Sequence, residues 1–170
     1  MDIEKSNHNL PHISAEFFLW LWHHAEHVGG NFEQDGVSFW FDDKLSFRDP
    51  VAHQSRTVVT GENSSTSPEA KAALAAGKVV SDVKMHLRKE EREYILTLKG
   101  PMIDISSLKF PEHSSEAEDM GGLLLERMFM YDEVWDTLGI LFKKFAAERT
   151  SSVWTKQILP TLHEWVHVKS

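Results

Sequence analysis

Residues 77–111 carry the plainest pattern in the chain. Val79, Val83, Met85 and Leu87 alternate with Val80, Asp82, Lys84, His86 and Arg88, the period-2 signature of a strand with one apolar and one largely polar face. Lys89–Arg92 is a polar connector, and Tyr94, Leu96 and Leu98 resume the alternation. Gly100-Pro101 breaks the run before a third extended piece, Ile103–Phe110. Three short strands with tight links predict an antiparallel meander. Upstream, Val37, Phe39 and Phe41 alternate, and Leu45 and Phe47 follow Asp42-Asp43-Lys44. This spacing predicts a hairpin turning at 42–44. The β-branched Thr57–Thr60 is a further strand.

Helical spacing flanks the strands. Ser14 is the expected N-cap of a helix over 15–27, crowded with Phe17, Phe18, Trp20, Leu21 and Trp22 and stopped by Gly29-Gly30. Residues 1–14 read as a flexible arm. Ser67-Pro68 opens a short helix over 69–76, closed by Gly77. The longest helix is expected over 121–149. Its Leu124, Met128, Tyr131, Trp135, Leu138, Phe142 and Phe145 step by four and three, widened by Leu125, Val134 and Leu141. Such a stripe covers a sheet, or pairs with another helix at heptad spacing. A last helical segment over 152–167 contains Pro160, which kinks or divides it. The fold class is α+β: one domain, 15–170, with an antiparallel sheet covered by the N-terminal helix and the long C-terminal helix.

Composition narrows this picture little. The chain has 170 residues, 41% hydrophobic and 26% charged, and no cysteine, which excludes disulfides and thiolate chemistry. No apolar run reaches the ~20 residues of a bilayer span, and the acidic start Met1–Lys5 is unlike a secretory signal. A cytoplasmic protein without membrane contact is expected. Charge is more informative. The net value is −8, but residues 1–43 carry −7, 44–111 carry +3, 112–150 carry −5 and the last twenty +1. The strand-rich middle is basic within an acidic chain. That suits either solvated strand faces or a local basic groove.

Several motifs suggest chemistry. His163-Glu164-Trp165-Val166-His167 matches H-E-x-x-H, and His23-His24-Ala25-Glu26-His27 holds the inverted H-x-x-E-H. The first has only three residues after it, and the second lacks a nearby third ligand, so no metal or cofactor is expected. Asp82-Val83-Lys84 is half of a metal-dependent nuclease site and needs a second carboxylate, such as Asp104 or Asp49. No catalytic residue is assigned, and a metal-dependent nuclease is a minor alternative. Trp20, Trp22 and Trp135 fall on apolar helix faces and read as core. Trp40 lies opposite Phe39 and Phe41, where it could stack on a base or a partner.

Ala76-Gly77-Lys78-Val79-Val80, then Leu87, Tyr94-Ile95-Leu96 and Leu108-Lys109-Phe110, are similar to a run in the C-terminal half of the bacterial recombination-associated protein RdgC family. The Phe18–Trp22 helix, the Gly36–Phe47 stretch and the 121–147 helix resemble its flanking elements in the same order, over about 15–149. The resemblance implies a non-enzymatic homodimer that binds duplex DNA without sequence preference in the nucleoid and restrains RecA, although an exonuclease label is also attached to the family. Lys78 and Lys109 match the family's run. Arg56, Lys84 and Arg88 join them as DNA-binding candidates from strand-face patterning. The chain has no counterpart of the family's N-terminal half, and its Gly61–Ser64 loop is neutral to acidic where the family is Lys-rich. Closure of a DNA ring is therefore not expected of it. The alternative is an interaction or oligomerisation module that keeps the fold and makes no DNA contact.

Overall fold

A computed structural model describes residues 11–27, 29–51, 55–61, 67–112, 114 and 119–167. The alternating segments build one six-stranded antiparallel sheet: β1 (Asn31–Phe32), β2 (Val37–Arg48), β3 (Arg56–Thr60), β4 (Val79–Lys89), β5 (Arg92–Lys99) and β6 (Asp104–Lys109). The order is β1-β2-β4-β5-β6, with β3 also paired to β2. The helices are α1 (Pro11–His27), α2 (Pro68–Ala75), α3 (Met120–Arg149) and α4 (Leu159–His167). The α+β class and the two principal helices agree with the sequence pattern.

The meander is present, with Met85 opposite Leu96, which lies opposite Leu108. The expected 42–44 hairpin is not. Residues 37–48 form one strand whose pairing to β4 slips between Phe41 and Leu45. Asp42-Asp43-Lys44 is a bulge rather than a turn, and Lys84 on β4 reaches the two carboxylates from across the ladder. The first helix also starts earlier than expected. It begins at Pro11, so Ser14 is a buried residue of its first turns and not a cap. Of the expected arm, residues 1–10 lie outside the described residues. Ser67 does cap α2, accepting from the Ala70 N–H at 3.2 Å. Pro160 falls at the second position of α4, just after a π-helical turn over Trp154–Ile158.

All the helices lie on one face of the sheet. Val37, Phe39, Leu45, Phe47, Val83, Met85, Leu87, Tyr94, Leu96 and Leu98 point into the core, because alternation sends them to one side. Phe17, Phe18, Trp20, Leu21 and Trp22 of α1 meet them and are all buried. A helix apolar on nearly every side needs cover on every side, and α1 receives it from β2, β4 and α3 and from Trp165 of α4. Three of the four buried indoles donate to carboxylates, while Trp154 Nε1 is buried without a partner among the described residues. Trp20 Nε1 donates to Glu148 at 2.7 Å, and Trp22 and Trp165 donate to the two oxygens of Glu26 at 2.7 and 2.9 Å.

One close approach locks the α1–β1 corner. Gly30 has φ +59°, its N–H donates to His24 O, and its carbonyl accepts from Phe39 N. A Cβ there would lie 2.0 Å from Phe39 O, so only glycine fits.

Candidate interaction surfaces

Among the described residues no helix packs over the second face of the sheet. It presents Trp40 and Asp42 of β2, Asp82, Lys84, His86 and Arg88 of β4, Glu93, Ile95, Thr97 and Lys99 of β5, and Asp104, Ser107 and Lys109 of β6. Here the structure places most of the predicted DNA-binding cations, and it pairs three of the five with acids. Lys84 Nζ lies 2.8 Å from Asp42 and 3.0 Å from Asp43. Arg88 is 2.9 Å from Glu93, and Arg56 is 3.6 Å from Asp82 and also donates to Ser46 Oγ. Lys78 donates to Thr57 Oγ1 at 2.5 Å. Lys109, opposite Ile95 on the last strand, has no carboxylate partner among the described residues. Lys99 faces Asp104 across the ladder. Acids therefore stand against the face's cations almost one for one.

The electrostatics follow from these contacts. For Asp42, burial is the strongest single influence and favours the neutral acid. Hydrogen bonds from Lys84 and the Asp43 N–H, with the Lys84 and His86 charges, together outweigh it and hold the carboxyl below its usual range. Glu93 is also lowered, by hydrogen bonds from His86 and then Arg88. Lys84 is raised by its bonds to Asp42 and then Asp43. Trp40 stacks on His86 at 5.0 Å, with the Arg88 guanidinium 5.2 Å from its ring. The indole is exposed as its strand position implies, but its neighbours already use its π surface.

The histidine motifs do not converge. His23 and His27 stack on each other at 4.3 Å and meet Trp165 edge-on. Burial, then the proximity of His27 and His24, lowers His23 to about 4. His163 and His167 are both exposed on α4. Asp82 is engaged by Arg56 and the Ser81 hydroxyl. Among the described residues no group of three or more His, Asp and Glu side chains is placed to hold a metal ion, and no helix is long and apolar enough to cross a membrane.

The second surface is the first half of α3. Asp119 caps the helix, accepting from Gly122 N at 2.9 Å. Of the expected stripe, Val134, Leu138, Leu141 and Phe145 enter the core, joined by Met130, which the stripe did not include. Met120 (73%), Leu124 (60%), Leu125 (69%), Met128 (56%), Phe129 (57%), Tyr131 (44%) and Trp135 (42%) are exposed. Trp135 is therefore not core, unlike Trp20 and Trp22. Met130 and Val134 are buried at the level where Tyr131 and Trp135 are exposed, so the covered face is rotated away from the expected stripe, which the spacing could not tell.

One polar node fixes the helix where it leaves the core. Glu133 accepts from Arg92 Nε at 2.8 Å, from Arg92 Nη2 and from the buried Tyr94 hydroxyl. The Arg92 hydrogen bonds lower the Glu133 carboxyl against the opposing effect of burial. Burial and then the bond to Glu133 raise the Tyr94 phenol. The Arg92 side chain also lies over Phe129, 5.3 Å from its ring.

No protein-family model matches the chain, and no curated protein or solved structure is significantly similar to it.

Proposed function

We propose that this chain is a non-enzymatic protein-interaction module whose working surface is the exposed apolar half of α3. The observation that carries the reading is the seven large apolar side chains of 120–135 left in solvent beside the buried face of the same helix. Their exposures amount to roughly 800 Å² of accessible surface, above the few hundred Å² of the usual largest apolar patch on a monomer. It is about what one partner contributes to a standard interface. A helix segment with apolar side chains on most of its girth is stable only when covered.

The test compares wild type with a Leu124→Asp, Met128→Asp double variant in affinity capture from extracts of the source cell. Both positions are solvated, so the variant keeps its thermal midpoint. The expected result is loss of the proteins, or second copies of the chain, that wild type retains. Retention of the same set by a folded variant would remove the reading.

The DNA-binding reading, with RecA as a further partner, draws on the likeness in sequence and on Lys78 and Lys109, the candidate cations that no acid neutralises among the described residues. Backbone binding depends on releasing counterions through unneutralised Lys and Arg, and the paired face offers few. A mobility shift at low salt that weakens steeply with added salt, and is reduced by Lys109→Glu, would favour this second reading. Its absence at low salt would end it.

A further inference from the structure

Resting on that reading, we infer that the occupant of the α3 surface is a second copy of this chain, lying antiparallel. Leu124 of one copy meets Trp135 of the other, and Met128 meets Tyr131.

The direction follows from what blocks the stripe. Phe142 lies eighteen residues beyond Leu124, about five full turns at 3.6 residues per turn, so the two share one line along the helix. At Phe142 that line is occupied: Phe17 of α1 packs edge-on against it, with ring centroids 5.3 Å apart. A helix laid on the stripe has free length only over about 120–135. In a parallel pair both copies would bring α1 and the sheet to the same end, on the side where the helices meet. In an antiparallel pair the two bodies lie at opposite ends, and each exposed half covers the other.

The side chains fit that register. Heptad packing in an antiparallel pair alternates the two stripe positions across the interface. Position 124 then stands opposite 135, and 128 opposite 131. The pairing maps onto itself under a two-fold axis, as an isologous interface requires. It sets a Leu against a Trp and a Met against a Tyr, where a parallel pair would stack Trp on Trp and Tyr on Tyr. Tyr131 and Trp135 are already arranged edge-to-face, with centroids 6.3 Å apart, so little ordering is needed on association. The stripe positions carry no ionisable group apart from the Tyr131 phenol. Arg127 and Asp132, both exposed, flank it on opposite sides and stay at a polar rim. The seam positions, with Leu125 beside Leu124, supply the larger part of the roughly 800 Å² exposed per copy, the scale of a smaller, concentration-dependent interface.

The chain contains no cysteine, so introduced thiols report the register directly. Full-length Leu124→Cys and Trp135→Cys proteins are prepared separately, oxidised alone and oxidised after mixing, with wild-type sedimentation measured alongside. The expected outcome is a wild-type dimer, a disulfide-linked dimer from the mixture, and little from either protein alone. Leu124→Asp should weaken the dimer at least about a hundredfold, because it sets an unpaired carboxylate against the partner's Trp135. Met128→Cys, which removes less volume than Trp135→Cys and is mixed with Tyr131→Cys, repeats the test if the Trp variant fails to associate. Rapid linking of Leu124→Cys to itself would overturn the antiparallel register. A monomeric wild type would overturn self-pairing while leaving the interaction-module reading intact, since another protein would then be the occupant. A dimer indifferent to Leu124→Asp would likewise overturn self-pairing through α3, with the interaction-module reading left to the capture experiment.

Discussion

Glu133 ties β5 to α3 at the point where the helix leaves the core, and replacing it tests how that junction is held. Its carboxylate accepts from the Arg92 guanidinium and from the Tyr94 hydroxyl. The Tyr94 ring is fully buried, while the Arg92 side chain is 42% exposed. Glu133→Leu therefore leaves the two donors in different positions. Water re-solvates Arg92 at small cost. The Tyr94 O–H loses its acceptor, and an unsatisfied buried donor costs about 1–3 kcal/mol. With the lost charge-assisted bond, mostly screened on the Arg92 side, the sum is about 3 kcal/mol. At about 2–4 °C per kcal/mol for a domain of this size, the midpoint falls by roughly 6–12 °C. Glu133→Gln keeps an acceptor for Tyr94 and should lose only about 1 kcal/mol. The pH dependence separates the two contributions. The Glu133 carboxyl is lowered in the folded protein. Its stabilisation is thus complete above the unfolded value near 4.3 and disappears as pH falls through the lower folded value. Urea titrations at pH 7 and at about pH 3 should show Glu133→Gln closer to wild type in acid. Equal stability of wild type and Glu133→Leu at pH 7, within about 0.5 kcal/mol, would refute the reasoning.

Two further substitutions probe other parts of the fold. Gly30→Ala forces a methyl group into Phe39 O at a left-handed backbone position; a loss of about 3 kcal/mol or more is expected by chemical denaturation, and a loss under 1 kcal/mol would contradict the close approach. His23, held neutral down to about pH 4 by burial and its histidine neighbours, binds a proton more readily when unfolded. It therefore costs stability as pH drops from 6.5 toward 4. His23→Phe keeps the stacking and removes that loss, so the wild-type-minus-variant difference in urea midpoint should change between pH 7 and pH 5; a constant difference would count against it.

How far the chain reveals its fold depends on how local the cause is. The β4–β5 hairpin is readable because Val83, Met85 and Leu87 face Leu98, Leu96 and Tyr94 in uninterrupted alternation. The α2 boundaries are readable because Ser67 and Pro68 act within one turn. The bulge at 42–44 is not, because Asp-Asp-Lys suits a turn locally and is kept extended by Lys84, forty residues away. The same limit governs the surfaces. Alternation puts Lys84 and Arg88 on the polar face, but only strand register brings Asp42 and Glu93 beside them. Heptad spacing marks Leu124, Met128, Tyr131 and Trp135 as one stripe with Leu138 and Phe145. Which side of the helix is covered depends on how it packs against the sheet and α1, which puts Met130 and Val134 inside and Tyr131 and Trp135 outside, and no local pattern encodes that. The separation of exposed from buried apolar positions, the feature on which the proposed function turns, is a tertiary fact.

Amide hydrogen exchange of full-length wild type over a dilution series tests the central claim most directly. If residues 120–129 are a surface that a second copy covers, their amides should be protected at high concentration and exchange close to the rate of an uncovered helix end on dilution. The β4 and β5 amides should stay constant throughout. Exchange at 120–129 that is the same at every concentration would contradict the account.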